Sequence, residues 1–325
     1  MSRAPLLNRD EWLRWLDHHT QQQPPKLYAM YSSITGGMIT DPALMQVPVD
    51  DHMVHRGDGI FETLKCVNGS IYNLQAHLDR LLLSARGIQL TLRWTLGELQ
   101  ELIVDTARAA GRADALIRIL VSRGPGSMGV NPYDCPQPQI YIIVSPLSPS
   151  FLNTHPDGAR VGFSSVPPKP PPLAAIKSCN YLPNALMAAE ARDRELDFVL
   201  SLGADGRILE GPTENIALVT DNDRLITPET PDVLPGTTLE RILALAGPLV
   251  EQGLLAGIER TRVCRETLMN AREIMIIGTS HDIIPVGRIE ETVLENAARG
   301  PVYRALRRAI TKDVATQHAR RTRVF

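Results

Sequence analysis

The sequence predicts an α/β (α+β) chain of two domains sharing a cleft, and three observations carry that expectation. Its 325 residues exceed one average domain and allow ample core. Strand-patterned and helix-patterned stretches are mixed along both halves. Between the halves, Ser145 to Pro156 is polar and punctuated by Pro146, Pro149 and Pro156, which fit neither a sheet interior nor a helix. The expected divisions are an N-terminal extension over 1–26, a first domain over 27–147, a linker over 148–157 and a second domain over 158–325.

Taken in order, Arg9, Asp10, Glu11, Trp12, Leu13, Trp15 and Leu16 have helical spacing behind an acidic first turn, until Gln21 to Gln23 and Pro24-Pro25 break the pattern. From Leu27 to Pro48 short apolar runs are split by Gly36-Gly37 and Asp41-Pro42, which reads as strands and turns. Ile60 to Val67 and Ile71 to Leu74 flank Asn68-Gly69, the pair that favours a tight hairpin. Helices follow over about Gln75 to Ser84 and Leu96 to Ala110, the second with an apolar stripe of Leu99, Leu102, Ile103 and Ala107. Ile117 to Ser122 and Gln139 to Val144 read as strands. The second half offers a strand over Arg160 to Val166, the proline-rich Pro167 to Pro172, and a helix from Pro183 to Leu196. Strands over Phe198 to Leu202, Asn215 to Val219 and Arg224 to Ile226 come next, then a helix from Thr238 that Gly247-Pro248 closes, and a strand over Glu273 to Ile277.

Composition narrows the function. A net charge of -2, from 34 basic and 36 acidic residues, supplies no overall field for nucleic acid or an anionic membrane, so neither partner is expected. Cys66, Cys135, Cys179 and Cys264 are scattered without Cys-x-x-Cys spacing, which suggests neither a disulfide framework nor a structural metal site. Met1 to Asn8 is too short and too weakly apolar for a signal peptide, and no run approaches the roughly 20 apolar residues of a membrane span. A cytoplasmic protein acting on small molecules is expected.

Five features could carry chemistry, and each has an ordinary alternative. Lys177, one of five lysines, follows Leu173, Ala174, Ala175 and Ile176 and precedes a helix, a setting that suits a desolvated, reactive amine or a surface lysine at a strand end. Glu210, in Leu209-Glu210-Gly211-Pro212-Thr213-Glu214-Asn215, could hold a protonated pyridine nitrogen or be a solvated turn residue. Leu234-Pro235-Gly236-Thr237-Thr238 opens a helix whose amides and hydroxyls could cradle a phosphate, or Thr237 or Thr238 could simply cap it. In His77-Leu78-Asp79-Arg80, Arg80 suits a phosphate in two-point geometry or a surface ion pair. Gly278-Thr279-Ser280 could bind a second anionic group or form a plain polar turn.

In this order the segments resemble the class IV (fold type IV) aminotransferases from about Leu27 onward. The likeness includes Asp50-Asp51-His52-Met53-Val54-His55-Arg56-Gly57-Asp58-Gly59-Ile60-Phe61-Glu62-Thr63, His77 to Leu81, Ile176 to Leu182, Glu210-Gly211 with Asn215, Leu234 to Thr237, and Gly278 to Ser280 ahead of Ile284-Pro285-Val286. The resemblance implies a smaller N-terminal α/β domain, a larger C-terminal domain with a β-barrel-like core, a homodimer, and pyridoxal 5'-phosphate as cofactor. It implies that Lys177 holds the cofactor as a Schiff base and shuttles the proton, that Glu210 partners the pyridine nitrogen, and that Tyr181 donates to the phenolic oxygen. Arg80, Gly236, Thr237, Thr238 and Thr279 are implied at the phosphate, and Leu234 on the ring. Many relatives have an aliphatic residue at Thr237, where the amide would still serve.

Among activities, the chain is similar above all to plant-type D-amino acid aminotransferases, through Asp51 to Arg56 and Lys177-Ser178-x-Asn180-Tyr181-Leu182-Pro183-Asn184. The Arg-x-His pair of the bacterial D-amino acid enzymes is missing from Ser122 to Gly129. Met128-Gly129-Val130-Asn131-Pro132 resembles branched-chain aminotransferases, and Arg118 falls where they hold an arginine; Ser122-Arg123-Gly124-x-Gly126 resembles aminodeoxychorismate lyase. The expected substrates are an amino acid, D-alanine for example, and a 2-oxo acid. Arg56, Phe61, Arg118, Arg123 and Ser280 are the candidates at the substrate end, with Arg56 or Arg123 expected to trap the carboxylate.

Overall fold

The computed structural model describes residues 4–20, 27–229, 232–294 and 300–325. Helix α1 spans Arg9–Thr20, as its spacing predicts, while the break at Gln21 to Pro25 lies outside the described residues. The first half continues with β1 (Ala29–Ser32), β2 (Gly37–Ile39), α2 (His52–Arg56), β3 (Gly59–Val67), β4 (Ser70–Tyr72), α3 (Leu74–Gly87), α4 (Leu96–Ala109), β5 (Ala115–Ser122) and β6 (Gln139–Ser145). The second half holds β7 (Ala159–Phe163), α5 (Leu182–Asp193), β8 (Phe198–Leu200), β9 (Asn215–Val219), β10 (Arg224–Pro228), α6 (Thr237–Glu251), β11 (Gly257–Thr261), α7 (Arg265–Met269) and β12 (Glu273–Gly278). It closes with β13 (Asp282–Ile289), β14 (Thr292–Val293), α8 (Pro301–Thr316) and β15 (Arg321–Arg323).

The first sheet has the order β15-β4-β3-β5-β6-β1-β2 and is antiparallel throughout. Successive residues of β3 point to opposite faces, so Ile60, Leu64 and Cys66 join Ile117, Ile119, Ile140 and Ile142 in a core covered by Leu78 and Leu81 of α3 and Leu99 and Ile103 of α4. Glu62 shares that inward side of β3 and is fully buried. Phe61 and Thr63 occupy the opposite face, where Arg118 of β5 is paired directly across from Thr63. This uncovered face supplies part of the candidate site.

The second sheet runs β11-β10-β9-β12-β13-β7-β8, mixing parallel and antiparallel pairs, with β14 added to β13. Both of its faces are apolar. On one, Leu239 and Ile242 of α6 and Leu306 and Ile310 of α8 pack on Ala217, Met275 and Ile277. Around the other, the sheet curls into a half-barrel enclosing Ile216, Leu218, Ile274, Ile276 and Ile284 with Phe198 and Leu200.

Near the end of the stretch 158–325, β15 crosses back and pairs with β4 in the first sheet. One sequence expectation changes. Gly247-Pro248 does not close α6, which continues to Glu251. Pro248 forfeits one amide donor, but the last turn is sealed by Gln252 N donating to Pro248 O at 3.1 Å, and Leu249 is carried into the core under α8. Among the described residues no helix is long and apolar enough to cross a membrane.

Candidate active site

Lys177 is fixed through its backbone against the start of β3. Phe61 N donates to Lys177 O at 2.9 Å, Cys179 N to Gly59 O at 2.8 Å, and Lys177 N to Ser84 Oγ at 3.2 Å. The residue is 7% exposed, and its Nζ lies 4.5 Å from the ring centroid of Phe61 and 5.9 Å from that of Tyr181. Among the described residues no carboxylate pairs with it. Burial, followed by repulsion from Arg80, pushes its ammonium down to about 8, so much more of the amine is in the reactive neutral form than for an exposed lysine. Tyr181 meets Phe61 edge-on at 5.0 Å, and burial pushes its hydroxyl far above the ordinary range, keeping it a proton donor.

Glu210 faces the same cleft. Its Oε2 accepts from Leu234 N at 3.0 Å and Asn215 Nδ2 at 3.2 Å, which leaves Oε1 without a donor among the described residues. Burial pushes its carboxyl up to about 8, against the pull of the Leu234 amide and of Lys169 and Lys177. The surface it keeps opens onto a narrow cleft that it lines together with Lys177, Tyr181, Asn215 and Leu234. A carboxylate short of positive charge, an anchored amine and a phenol thus converge on one space.

At the other end, α6 begins without a side-chain cap: Gly236 is the N-cap residue, and neither Thr237 nor Thr238 closes the helix start. Its first-turn amides therefore stay available to an anion. Gly236 is required by close approach, since a Cβ there would lie 1.8 Å from Asn215 Oδ1. Arg80 meets Glu62 through two bonds, Nε to Oε1 at 2.7 Å and Nη2 to Oε2 at 2.8 Å, and its Nη1 donates to Pro235 O at 3.0 Å. Three of the five guanidinium donors are thereby used, and one N–H on each Nη is left. Burial alone would raise the Glu62 carboxyl, but Arg80 and His77 overcome it and hold it at about 2. Thr279 and Ser280 form the turn between β12 and β13.

The expectation for Arg123 needs correction. Its guanidinium pairs with Asp58 at 3.0 Å and donates to Gln89 O at 2.9 Å and Ile88 O at 2.7 Å, so it is committed to holding a loop rather than free to trap a carboxylate. Arg56 is exposed and donates to the carbonyls of His55, Met128 and Gly129. Arg118 has no acidic partner among the described residues and lies 6.0 Å from the Phe61 ring centroid. Sequence reading also missed Glu62, His77, Ser84 and Asn215 as site residues. Glu62, His77 and Asn215 do fall within the segments that carry the resemblance, and Glu62 is also an acid on the inward side of an otherwise apolar strand; Ser84 left no signal.

The residues fit pyridoxal 5'-phosphate: an amine for its aldehyde, a charge-poor acid for its ring nitrogen, and an open helix start beside an arginine for its phosphate. The amino-transferase class IV family model matches residues 59–289. The chain is 38% identical over 287 residues to a chloroplastic D-amino-acid transaminase of Arabidopsis thaliana, covering 88% of this chain and 76% of that one. It is 30% identical over 283 residues to a putative branched-chain-amino-acid aminotransferase of Methanocaldococcus jannaschii, covering 86% and 95%. The solved branched-chain aminotransferase of Thermoproteus uzoniensis with norvaline superposes with a TM-score of 0.82 at 27% identity, covering 92% of this chain and 100% of that one. With that fold, these residues and a family match across most of its length, the chain belongs to the class IV aminotransferases and is a pyridoxal-phosphate-dependent enzyme.

Proposed function

We propose that the enzyme exchanges the amino group of a D-amino acid, such as D-alanine, with a 2-oxo acid, such as 2-oxoglutarate. The observation that carries this is the 38% identity to the plant D-amino-acid transaminase, against 30% to the archaeal branched-chain relative. When bound, the cofactor supplies the electron sink that makes the substrate's α-proton removable. Lys177 holds the cofactor and then moves that proton at the α-carbon. Glu210 holds a proton at the pyridine nitrogen, and the Tyr181 hydroxyl donates to the phenolic oxygen. Arg80, the start of α6 at Gly236, Thr237 and Thr238, and Thr279 grip the phosphate, while Leu234 packs on the ring.

At the substrate end we assign the carboxylate to Arg118, which no acid among the described residues neutralises, because a carboxylate drawn from water needs a cationic partner. Phe61 forms the wall between Arg118 and Lys177, and Arg56 and Ser280 complete that end. The reading includes a homodimer, supported by apolar side chains left open on the first half, among them Met38, Val130 and Tyr133. Four free cysteines support a reducing location such as the cytoplasm, although the plant relative is named chloroplastic.

Branched-chain L-amino acids are the second reading, favoured by Arg118 and by the likeness to the enzyme solved with norvaline. Mixing purified yellow holoenzyme with one amino acid at a time separates the two. D-alanine is expected to bleach the lysine-bound cofactor and release pyruvate while L-leucine and L-valine leave it unchanged; the reverse pattern would overturn the D-amino acid assignment. Pyruvate released from aminodeoxychorismate without an acceptor would indicate a lyase instead.

A further inference from the structure

His77 is buried on α3 with both ring nitrogens engaged: Nδ1 lies 2.7 Å from Glu62 Oε2, and Nε2 lies 3.2 Å from Thr237 Oγ1. These two contacts determine where the protons are. Glu62 is held as a carboxylate, which only accepts, so the proton of a neutral imidazole must be on Nδ1. Nε2 is then an acceptor, and the Thr237 hydroxyl has to donate to it. In that state Thr237 presents only lone pairs to the start of α6, where the phosphate is assigned, and a phosphate dianion is itself an acceptor. The arrangement is thus mismatched to the ligand it faces.

A single proton on Nε2 reverses the mismatch. Nε2–H would donate to Thr237 Oγ1, the hydroxyl proton would be free for a phosphate oxygen, and a positive charge would stand behind the cradle. We propose that His77 is a positioning residue that takes up a proton when the cofactor phosphate enters, converting the Thr237 hydroxyl from a donor to imidazole into a donor to phosphate. This rests on the phosphate lying at the start of α6.

The surroundings agree. The charged groups that face His77 are Glu62 from β3, which favours the protonated ring, and Arg80 from α3 and Lys177 from the segment before α5, which oppose it. Burial weighs most and keeps the ring below its ordinary value, so it is neutral before an anion arrives. An entering dianion adds the missing opposite charge.

Calorimetric titration of cofactor-free protein at pH 7.5 to 8, in two buffers of different ionisation enthalpy, counts the protons exchanged. Pyridoxal is the control, since it can form the same bond to Lys177 but has no phosphate. The wild type is expected to take up about one more proton per site with pyridoxal 5'-phosphate than with pyridoxal. His77→Gln, whose amide can donate to Thr237 without titrating, should lose that extra proton yet bind the cofactor within about threefold of wild type, whereas His77→Leu should bind roughly tenfold or more weakly. Thr237→Val, which leaves the Glu62–His77 pair intact, should also diminish the extra proton. Equal proton counts for the two ligands, or an extra proton that persists in His77→Gln, would overturn this inference alone. Failure of pyridoxal 5'-phosphate to bind at all would overturn the site assignment and the inference with it.

Discussion

Glu210 and Lys177 are held in one cleft on terms that penalise the empty protein, and the penalty has a sign that can be measured. The folded value for Glu210, about 8, lies above its ordinary 4.5, so ionisation disfavours the fold, and the cost grows as pH rises between those two values. Glu210→Gln should therefore stabilise the cofactor-free protein by about 1–3 kcal/mol near pH 7.5 relative to pH 4.5, read by denaturant unfolding at both pH values. The same change should lower turnover of the holoenzyme by a hundredfold or more, because an amide cannot keep the pyridine nitrogen protonated. Equal stabilities at both pH values would remove the desolvation argument. Lys177 and Glu210 could be singled out from their neighbours along the chain, and the fold brings both to one cleft. The engagement of Arg123 was not, since Asp58 is distant in sequence and only the fold brings the two together.

At the scale of elements, the start of α6 shows how local geometry fixes a helix start whose first-turn amides have no side-chain cap. Gly236 is needed because Asn215 occupies the space a side chain would take, and Asn215 in turn holds the Leu234 carbonyl and Glu210. Gly236→Ala should displace all three, weakening pyridoxal 5'-phosphate binding roughly tenfold or more at a stability cost of about 1–3 kcal/mol, measured by equilibrium titration and thermal unfolding. Unchanged affinity would mean that the helix start does not meet the phosphate. Elements with a strong local code were readable: the Asn68-Gly69 hairpin, whose two turn residues have φ of 49° and 68°, and α4, which Thr95 and Glu98 start as a capping box. Short α2 has too few residues for a period. The long α8 did carry one, in Val302, Leu306, Ile310 and Val314, and Pro301 in its first turn marks its start.

Across the whole molecule, the two halves are tied by the end of the chain. Beyond the pairing of β15 with β4, Asn73 N donates to Arg320 O at 2.7 Å, Val324 N donates to Gly69 O at 2.9 Å, and Val324 is buried in the first core. Tyr72 of β4 donates to Asp313 of α8, which also pairs with Arg241 of α6. This clasp joins the sheet that presents Phe61 and Arg118 to α6. Deleting residues 318–325 should cost about 2–4 kcal/mol and raise KM for both substrates more than it lowers kcat, since it loosens the walls of the cleft without removing a reacting group. A loss of kcat alone would contradict that role. No local pattern in the sequence announces the return of β15, because three residues, Arg321, Thr322 and Arg323, have no apolar alternation and pair with a partner some 250 positions away.

Every role proposed at the site follows from which amine holds the cofactor, and covalent trapping reads this directly. Borohydride reduction of the pyridoxal 5'-phosphate-loaded enzyme, followed by peptide mapping, is expected to leave a stable pyridoxyl label on Lys177 and none on the other four lysines. A label on Lys169 or Lys65 in its place, or retention of the label when Lys177 is replaced by alanine, would contradict it.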